Sequence, residues 1–274
     1  MDILEKFCRY VRIAKDAGKI EKGLKAQYNT YTYSCVTQFS DAGTSCAGNI
    51  LSRDDRDDKL VVCFKGSVEI KDWVRDFWAW KLKWPYAKTT KDMDKVWIHA
   101  GFKNQYSSVR LKVIRELSDL MAKRGKPQHI TFCGHSLGGA LASISALDAH
   151  ESLDPSKAIT SLYSYASPRV YNTAGAGVFT SKMEYANRTS YADDIVPQVP
   201  VIDYLHVGKP VHVRQDLSVE FANYNRPIPM CKATDHFVEN YVNAFRFLMN
   251  VKGMTEIFNK NIIDDPADNA KHLT

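Results

Sequence analysis

Three segments follow one another without a break: His129-Ile-Thr-Phe-Cys133, Gly134-His135-Ser136-Leu137-Gly138, and an Ala-, Leu- and Ile-rich run from Leu137 to His150. A short apolar run, a turn with glycine at both ends and an apolar run of helix length leave few ways to fold. The first reads as a buried strand and the last as a helix, and the turn presents a serine between them. The glycines are needed because so tight a turn has no room for side chains there. The rest of the chain supplies the sheet that such a unit requires. Leu60-Val-Val-Cys-Phe-Lys-Gly66 is a second apolar run ending at glycine, the mark of a strand buried on both faces. Residues 105 to about 123 read as a helix stopped by Gly125 and Pro127, with strands at 161–166 and 185–191. Tyr204–Val207 and Val211–Arg214 around Gly208-Lys209-Pro210 suggest a hairpin, and 236–250 a closing helix. Strands alternating with helices argue for one α/β domain, residues 1–274, with a mostly parallel sheet.

A serine hydroxyl is inert at neutral pH unless a base takes its proton, and in this architecture the order is serine, acid, histidine. Five histidines follow Ser136. His272 lies in a polar tail, His150 at a helix end, and His206 and His212 in the hairpin. His236 stands at a loop-to-helix junction, Thr234-Asp-His-Phe-Val-Glu239, and is read as the base. The acid must hold the imidazole in one tautomer. Tyr191-Ala-Asp-Asp-Ile-Val-Pro197 ends a strand with two adjacent carboxylates; Asp194 is read as the acid and Asp193 as the reserve, while Asp235 is read as a helix cap. An oxyanion needs fixed donors: the N–H of Leu137 after the serine, and Ser67 after the first buried strand. His135 is read as a packing or hydrogen-bonding residue turned away from the serine by strand alternation.

Composition excludes more than it selects. With 45% apolar and 25% charged residues, 14 Gly and 10 Pro, collagen-like, low-complexity and wholly disordered chains are ruled out. The net charge of +6 is too small to name a partner, and no basic cluster marks a nucleic-acid site. No His, Cys or carboxylate cluster has ligand spacing, so neither metal nor cofactor is expected. No stretch reaches the ~20 apolar residues of a membrane span. Residues 1–26 read as an amphipathic helix on the domain or membrane surface, and 262–274 as a loose tail. The N-terminus mixes charges into its apolar residues, unlike a secretory signal. The chain is therefore read as cytoplasmic and peripheral to a membrane or lipid surface, with unconventional export as the alternative. Six scattered cysteines read as reduced thiols, a Cys35–Cys46 bridge being the exception considered.

Together these blocks resemble the class 3 lipases, the fungal triacylglycerol lipase-like branch of the α/β-hydrolases. The similar stretches are Leu60-Val-Val-Cys-Phe-Lys-Gly-Ser67 with Trp73 after it, His99-Ala-Gly-Phe102, Ile130 to Leu141, Tyr165-Ala-Ser-Pro-Arg-Val170, Asp194-Ile-Val-Pro197 and Asp235-His236. They span roughly residues 28–250, with Lys65, Ala166 and Tyr171 departing from the family pattern. The resemblance implies Ser136 as nucleophile, Asp194 as acid, His236 as base, and Ser67 and Leu137 as oxyanion donors. It also implies an α/β-hydrolase fold with helices on both faces of the sheet and a helical lid.

Four of the five tryptophans, Trp73, Trp78, Trp80 and Trp84, crowd the matching stretch. Ile70, Trp73, Val74, Phe77 and Trp78 fall on one helical stripe, so 68–77 is read as the lid; Trp78, Trp80, Leu82 and Trp84 then alternate as a strand. An amphipathic lid would turn its apolar face to lipid on opening. Trp73→Ala is accordingly expected to weaken hydrolysis of emulsified long-chain esters more than of short soluble ones; equal losses on both would remove the lid reading. The expected activity is that of an acylglycerol lipase on a glycerolipid ester, with phospholipase A1 or a general carboxylesterase as the alternative and a silent lipid-binding fold as the remote one. No obligate protein partner is inferred.

Overall fold

A computed structural model describes residues 2–67, 81–86, 93–154, 156 and 158–264. Its centre is the unit the sequence announces. Strand β7 (Gln128–His135) runs into helix α3 (Leu137–Ser152), which is buried from Leu137 through Ala149. A helix apolar all round belongs at the middle of a layer, and here it lies on the sheet. On one side β7 pairs in parallel with β4 (Lys59–Phe64), on the other with β8 (Ala158–Tyr165). Beyond them β9 (Tyr185–Tyr191) and β10 (Lys209–Val213) continue in parallel.

Alternation along these strands feeds two cores. Leu60, Val62 and Phe64 point to one face, joined by Ile130, Phe132 and α3; Val61, Cys63 and Cys133 point to the other. Helix α2 (Ala100–Arg124) covers the first face with the stripe Phe102, Tyr106, Val109, Val113, Leu117 and Met121. It stops at Gly125, whose φ of 64° lets its N–H close on the Met121 carbonyl. Helix α4 (Thr173–Lys182) lies on the same side, through Ala176 and Phe179. The second face carries α1 (Ile3–Asp16), α5 (Val238–Leu248) and α6 (Met254–Asn261), tied by Phe7 against Phe245 and Phe258 at ring separations of 5.3 and 5.4 Å.

Several expectations are corrected. The N-terminal helix covers Ile3–Asp16 rather than 1–26, capped by Asp2 accepting the Leu4 N–H at 2.9 Å. It is no surface or membrane helix: Lys6 and Arg9 are both 0% exposed, Lys6 pairing with Asp264 and Arg9 stacking over Tyr31. The tail expected to be loose from 262 begins packed, with Ile262 buried; 265–274 lie outside the described residues. The sheet has an antiparallel wing, β1 (Lys25–Tyr28), β2 (Tyr31–Asp41) and β3 (Cys46–Arg53), joined to β4. Cys35 and Cys46 are free, lying opposite Leu51 and Asp41, so six residues of strand, ~20 Å, separate their levels.

The hairpin around 208–210 does not form. Gly208 runs against the Ala186 backbone, where a Cβ would meet the Ala186 carbonyl carbon at 3.2 Å, so the chain enters beside β9 in parallel. The antiparallel partner of β10 is β11 (Val219–Glu220), while Leu205 makes only an isolated bridge to Tyr171. Of the expected aromatic strand, the described residues include β5 (Lys81–Lys83) against β6 (Trp97–His99), with Trp84 buried beside Tyr86 and Tyr171. The lid positions Ile70, Trp73, Val74 and Phe77, with Trp78 and Trp80, lie outside the described residues.

Candidate active site

Ser136 sits between β7 and α3 with φ 60° and ψ −130°, a backbone conformation that costs energy for any residue with a Cβ. The surroundings impose it. Ser136 N–H is held by the Tyr165 carbonyl at 2.9 Å, and its own carbonyl accepts from Gly139 N–H at 2.9 Å. The glycines are sterically required: a Cβ on Gly134 would lie 2.1 Å from the Gly138 oxygen, and one on Gly138 would lie 2.2 Å from the Phe64 oxygen. The same crowding packs the end of β4 against the turn. Gly66 approaches so closely that its Cβ would fall 2.9 Å from the His135 oxygen and 3.6 Å from Ser136 Cβ, and the half-buried Ser67 follows it in the chain. Leu137 opens α3, so its N–H has no carbonyl four residues back.

His236 reaches this serine from a 3-10 turn, Thr234–His236, ahead of α5. Its Nε2 lies 2.8 Å from Ser136 Oγ, and its Nδ1 lies 2.9 Å from each carboxylate oxygen of Asp194. A carboxylate accepts, so Nδ1 carries the proton and Nε2 offers its lone pair to the hydroxyl. Ser136, Asp194 and His236 are respectively 2%, 2% and 0% exposed. Asp194 follows β9 and accepts from Val196 N–H at 2.9 Å and from Tyr241 O–H at 2.6 Å. With three donors upon it, the anion is compensated and its orientation fixed. Such a relay can draw the proton from Oγ as the oxygen attacks a carbonyl carbon.

The other candidates separate cleanly. Asp193 turns outward to Tyr224 O–H and Arg226. Asp235 caps nothing; its Oδ2 accepts the Asp193 N–H at 3.0 Å, fixing which of the adjacent acids points inward. His150 reaches Thr160, His206 donates from Nε2 to the Pro197 carbonyl, and His212 meets Ser190 Oγ and stacks on Tyr224. Two residues of the site escaped the sequence reading. Tyr241 is one of 14 tyrosines with nothing local to distinguish it. His135 faces the site: its ring lies 4.7 Å from that of His236 and 5.4 Å from that of Tyr241. Burial, with the charge His236 can carry, drives the His135 imidazole well below its usual range.

The buried histidines predict a pH dependence of folding. Burial lowers His99 and His212 to about 4 and pushes His135 well down too. In the unfolded chain all three titrate near ~6.5, so below that value the unfolded state binds more protons. Their contribution is complete above ~6.5 and is lost as pH falls toward about 4, at up to ~1.4 kcal/mol per pH unit each. Urea midpoints are expected to drop steeply between about pH 7 and pH 5; a flat profile there would contradict the burial of these rings.

Among the described residues, no group of three or more His, Cys, Asp or Glu is placed to hold a metal ion. The family model "Lipase (class 3)" matches residues 61–204, which contain the serine turn and Asp194. A secreted mono- and diacylglycerol lipase A of Penicillium cyclopium is 30% identical over 173 residues, 62% of this chain and 53% of the relative. Phospholipase A1-IIgamma of Arabidopsis thaliana is 31% identical over 249 residues, 81% of this chain and 54% of the relative. The chain thus spans about half the length of the curated relatives it matches. Among solved structures, a triacylglycerol lipase of Penicillium expansum superposes with a TM-score of 0.68 at 23% identity, covering 85% of this chain and 88% of that one. These findings overturn the cytoplasmic expectation, because relatives from Penicillium and Fusarium are named as secreted proteins. That expectation was drawn from residues 1–12, of which Ile3 to Arg12 lie in the packed helix α1. From the family match over more than half its length, together with the shared α/β-hydrolase fold, the chain belongs to the class 3 lipases.

Proposed function

We propose that this protein hydrolyses carboxylic esters of glycerolipids through an acyl-enzyme on Ser136. One observation carries the proposal: the buried line from Ser136 Oγ through both nitrogens of His236 to Asp194, at 2.8 and 2.9 Å. Ser136 attacks the ester carbonyl while His236 takes its proton, and Asp194 stabilises the imidazolium that results. The N–H groups of Leu137 and Ser67 receive the oxyanion, each such donor being worth ~3 kcal/mol in the transition state. His236 returns the proton to the leaving glycerol oxygen, and water, deprotonated by the same ring, releases the fatty acid.

A lipid substrate is supported by the rim. Phe237, the neighbour of the fully buried His236, is 55% exposed, and Val201 and Ile202, shortly after Asp194, are 61% and 70% exposed. Apolar side chains on both segments that bring in the acid and the base suit docking at a lipid surface. The Penicillium relative's name, mono- and diacylglycerol lipase, supports acylglycerols as substrates. Phospholipase A1 is the second reading, supported by the Arabidopsis relative that aligns over 81% of this chain. Fatty-acid release from diacylglycerol, triacylglycerol and phosphatidylcholine dispersions tests both. Release is expected from at least one of the three; cleavage confined to short soluble esters would make the protein a general carboxylesterase instead.

A further inference from the structure

Arg188, on β9, is 5% exposed, and its one hydrogen-bond partner among the described residues is neutral, the side-chain oxygen of Asn223. Arg169, four residues beyond the end of β8, comes near enough to depress it further, so that burial and this second charge together lower Arg188 to about 10. Arg169 donates to the carbonyls of Gln198 and Pro200 at 3.0 Å each and to Asn225 Oδ1 at 3.2 Å. Among the described residues no carboxylate pairs with either guanidinium. Asp193 is taken by Arg226 and Lys232, and Glu220 by Arg214. His206 adds no negative charge: its Nε2–H donates to Pro197, and burial keeps the ring neutral. A buried cation without an anion costs several kcal/mol.

Open space adjoins both arginines. A cavity of about 720 Å³ has Arg169, Gln198, His206 and Asn223 in its wall, and a second of about 630 Å³ has Arg188, Lys209, His206 and Asn223. His206 and Asn223 line both, which makes the two spaces neighbours. Glu184 also lines the second and pairs with neither arginine. The first cavity backs onto the candidate site. Gln198 ends the turn that starts two residues after Asp194, and Arg226 in the same wall holds Asp193.

We propose that Arg169 and Arg188 form a phosphate-binding site where these neighbouring spaces adjoin, for an oxyanion that arrives as the headgroup of a glycerophospholipid or as free phosphate. Each guanidinium is a planar fork of donors matched to phosphate oxygens. The amide nitrogens of Asn223 and Asn225 are further donors, since their oxygens already accept from the arginines. The headgroup form rests on the hydrolase reading above, and the free-phosphate form does not.

Thermal unfolding of the full chain separates these. Inorganic phosphate at about 20 mM, against chloride at equal ionic strength, is expected to raise Tm by about 2 °C or more. The same rise is expected in Ser136→Ala, so the outcome does not depend on catalysis. Arg188→Gln and Arg169→Gln should each abolish it, and Arg169, half-buried at the cavity, keeps the test open if the Arg188 variant fails to fold. The ratio of phosphatidic acid to diacylglycerol hydrolysis then identifies the source. A fall of about tenfold in Arg169→Gln assigns the site to a headgroup, as the loss of a charge-assisted hydrogen bond would give; an unaltered ratio assigns it to free phosphate. A phosphate response without any glycerolipid hydrolysis would uphold the site and reject the hydrolase reading. No phosphate-specific rise in either protein, or a rise that survives both glutamine substitutions, overturns the proposal.

Discussion

Replacing Ser136 with alanine is expected to lower kcat on a glycerolipid ester by about 10⁶-fold, close to the loss from removing the whole relay, because its members act as one unit. KM should change little, since Oγ touches His236 and no part of the lipid-facing rim. The fold should persist. Alanine carries the same Cβ as serine, so the strain of φ 60° is neither added nor relieved, and the bonds from Tyr165 and Gly139 are to backbone atoms. Residual hydrolysis of about 10³-fold over water is expected from the oxyanion donors alone. Retention of more than a hundredth of wild-type kcat would move the nucleophile elsewhere.

Asp194→Asn is expected to cost about 10⁴ in kcat with the geometry preserved. The carboxylate accepts from His236 Nδ1–H, Tyr241 O–H and Val196 N–H. An amide offers one acceptor oxygen in place of two and puts an NH₂ group against one of these donors. If that group faces His236, the ring takes the other tautomer, with its hydrogen on Nε2 aimed at Ser136, and cannot accept the hydroxyl proton. If it takes the place of Oδ1 it also opposes the Val196 N–H, and two donors facing each other in a buried site cost about 1–3 kcal/mol of stability. Steady-state kinetics with urea unfolding measures both effects. A loss under about tenfold, with unchanged stability, would show that Asp194 does not orient the base.

The parts of this molecule that were legible in its sequence are those with a steric or chemical necessity behind them. The elbow could be read because Gly134 and Gly138 admit no side chain, and because continuous apolar runs on either side exclude a surface loop. His236 followed from chain order and its place at a helix entrance. Asp193 and Asp194 were open alternatives locally; in the structure Asp194 is the one that meets His236, while the Asp235 side chain pins the Asp193 N–H. The wing β1–β3 went unread although β2 carries a clear signal: burial alternates with period two from Tyr33 to Phe39. What the sequence does not show is the bulge between Cys35 and Thr37, after which Phe39 enters the other core from Tyr33 and Cys35. The false hairpin shows the complementary limit. Gly208-Lys209-Pro210 has turn composition, but what fixes its course is contact with β9, 22 residues earlier. The basic residues of α1 misled because Lys6 and Arg9 find Asp264 and two tyrosine rings, partners that no local pattern announces.

The central claim, that Ser136 is a nucleophile activated by His236, is tested most directly by labelling the protein with a fluorophosphonate and mapping the modified peptide. The geometry predicts one adduct, on Ser136, absent from Ser136→Ala and slowed by orders of magnitude in His236→Ala, whose serine has lost the base 2.8 Å away. Absence of labelling in the wild-type protein, or an adduct that persists in Ser136→Ala, would contradict it.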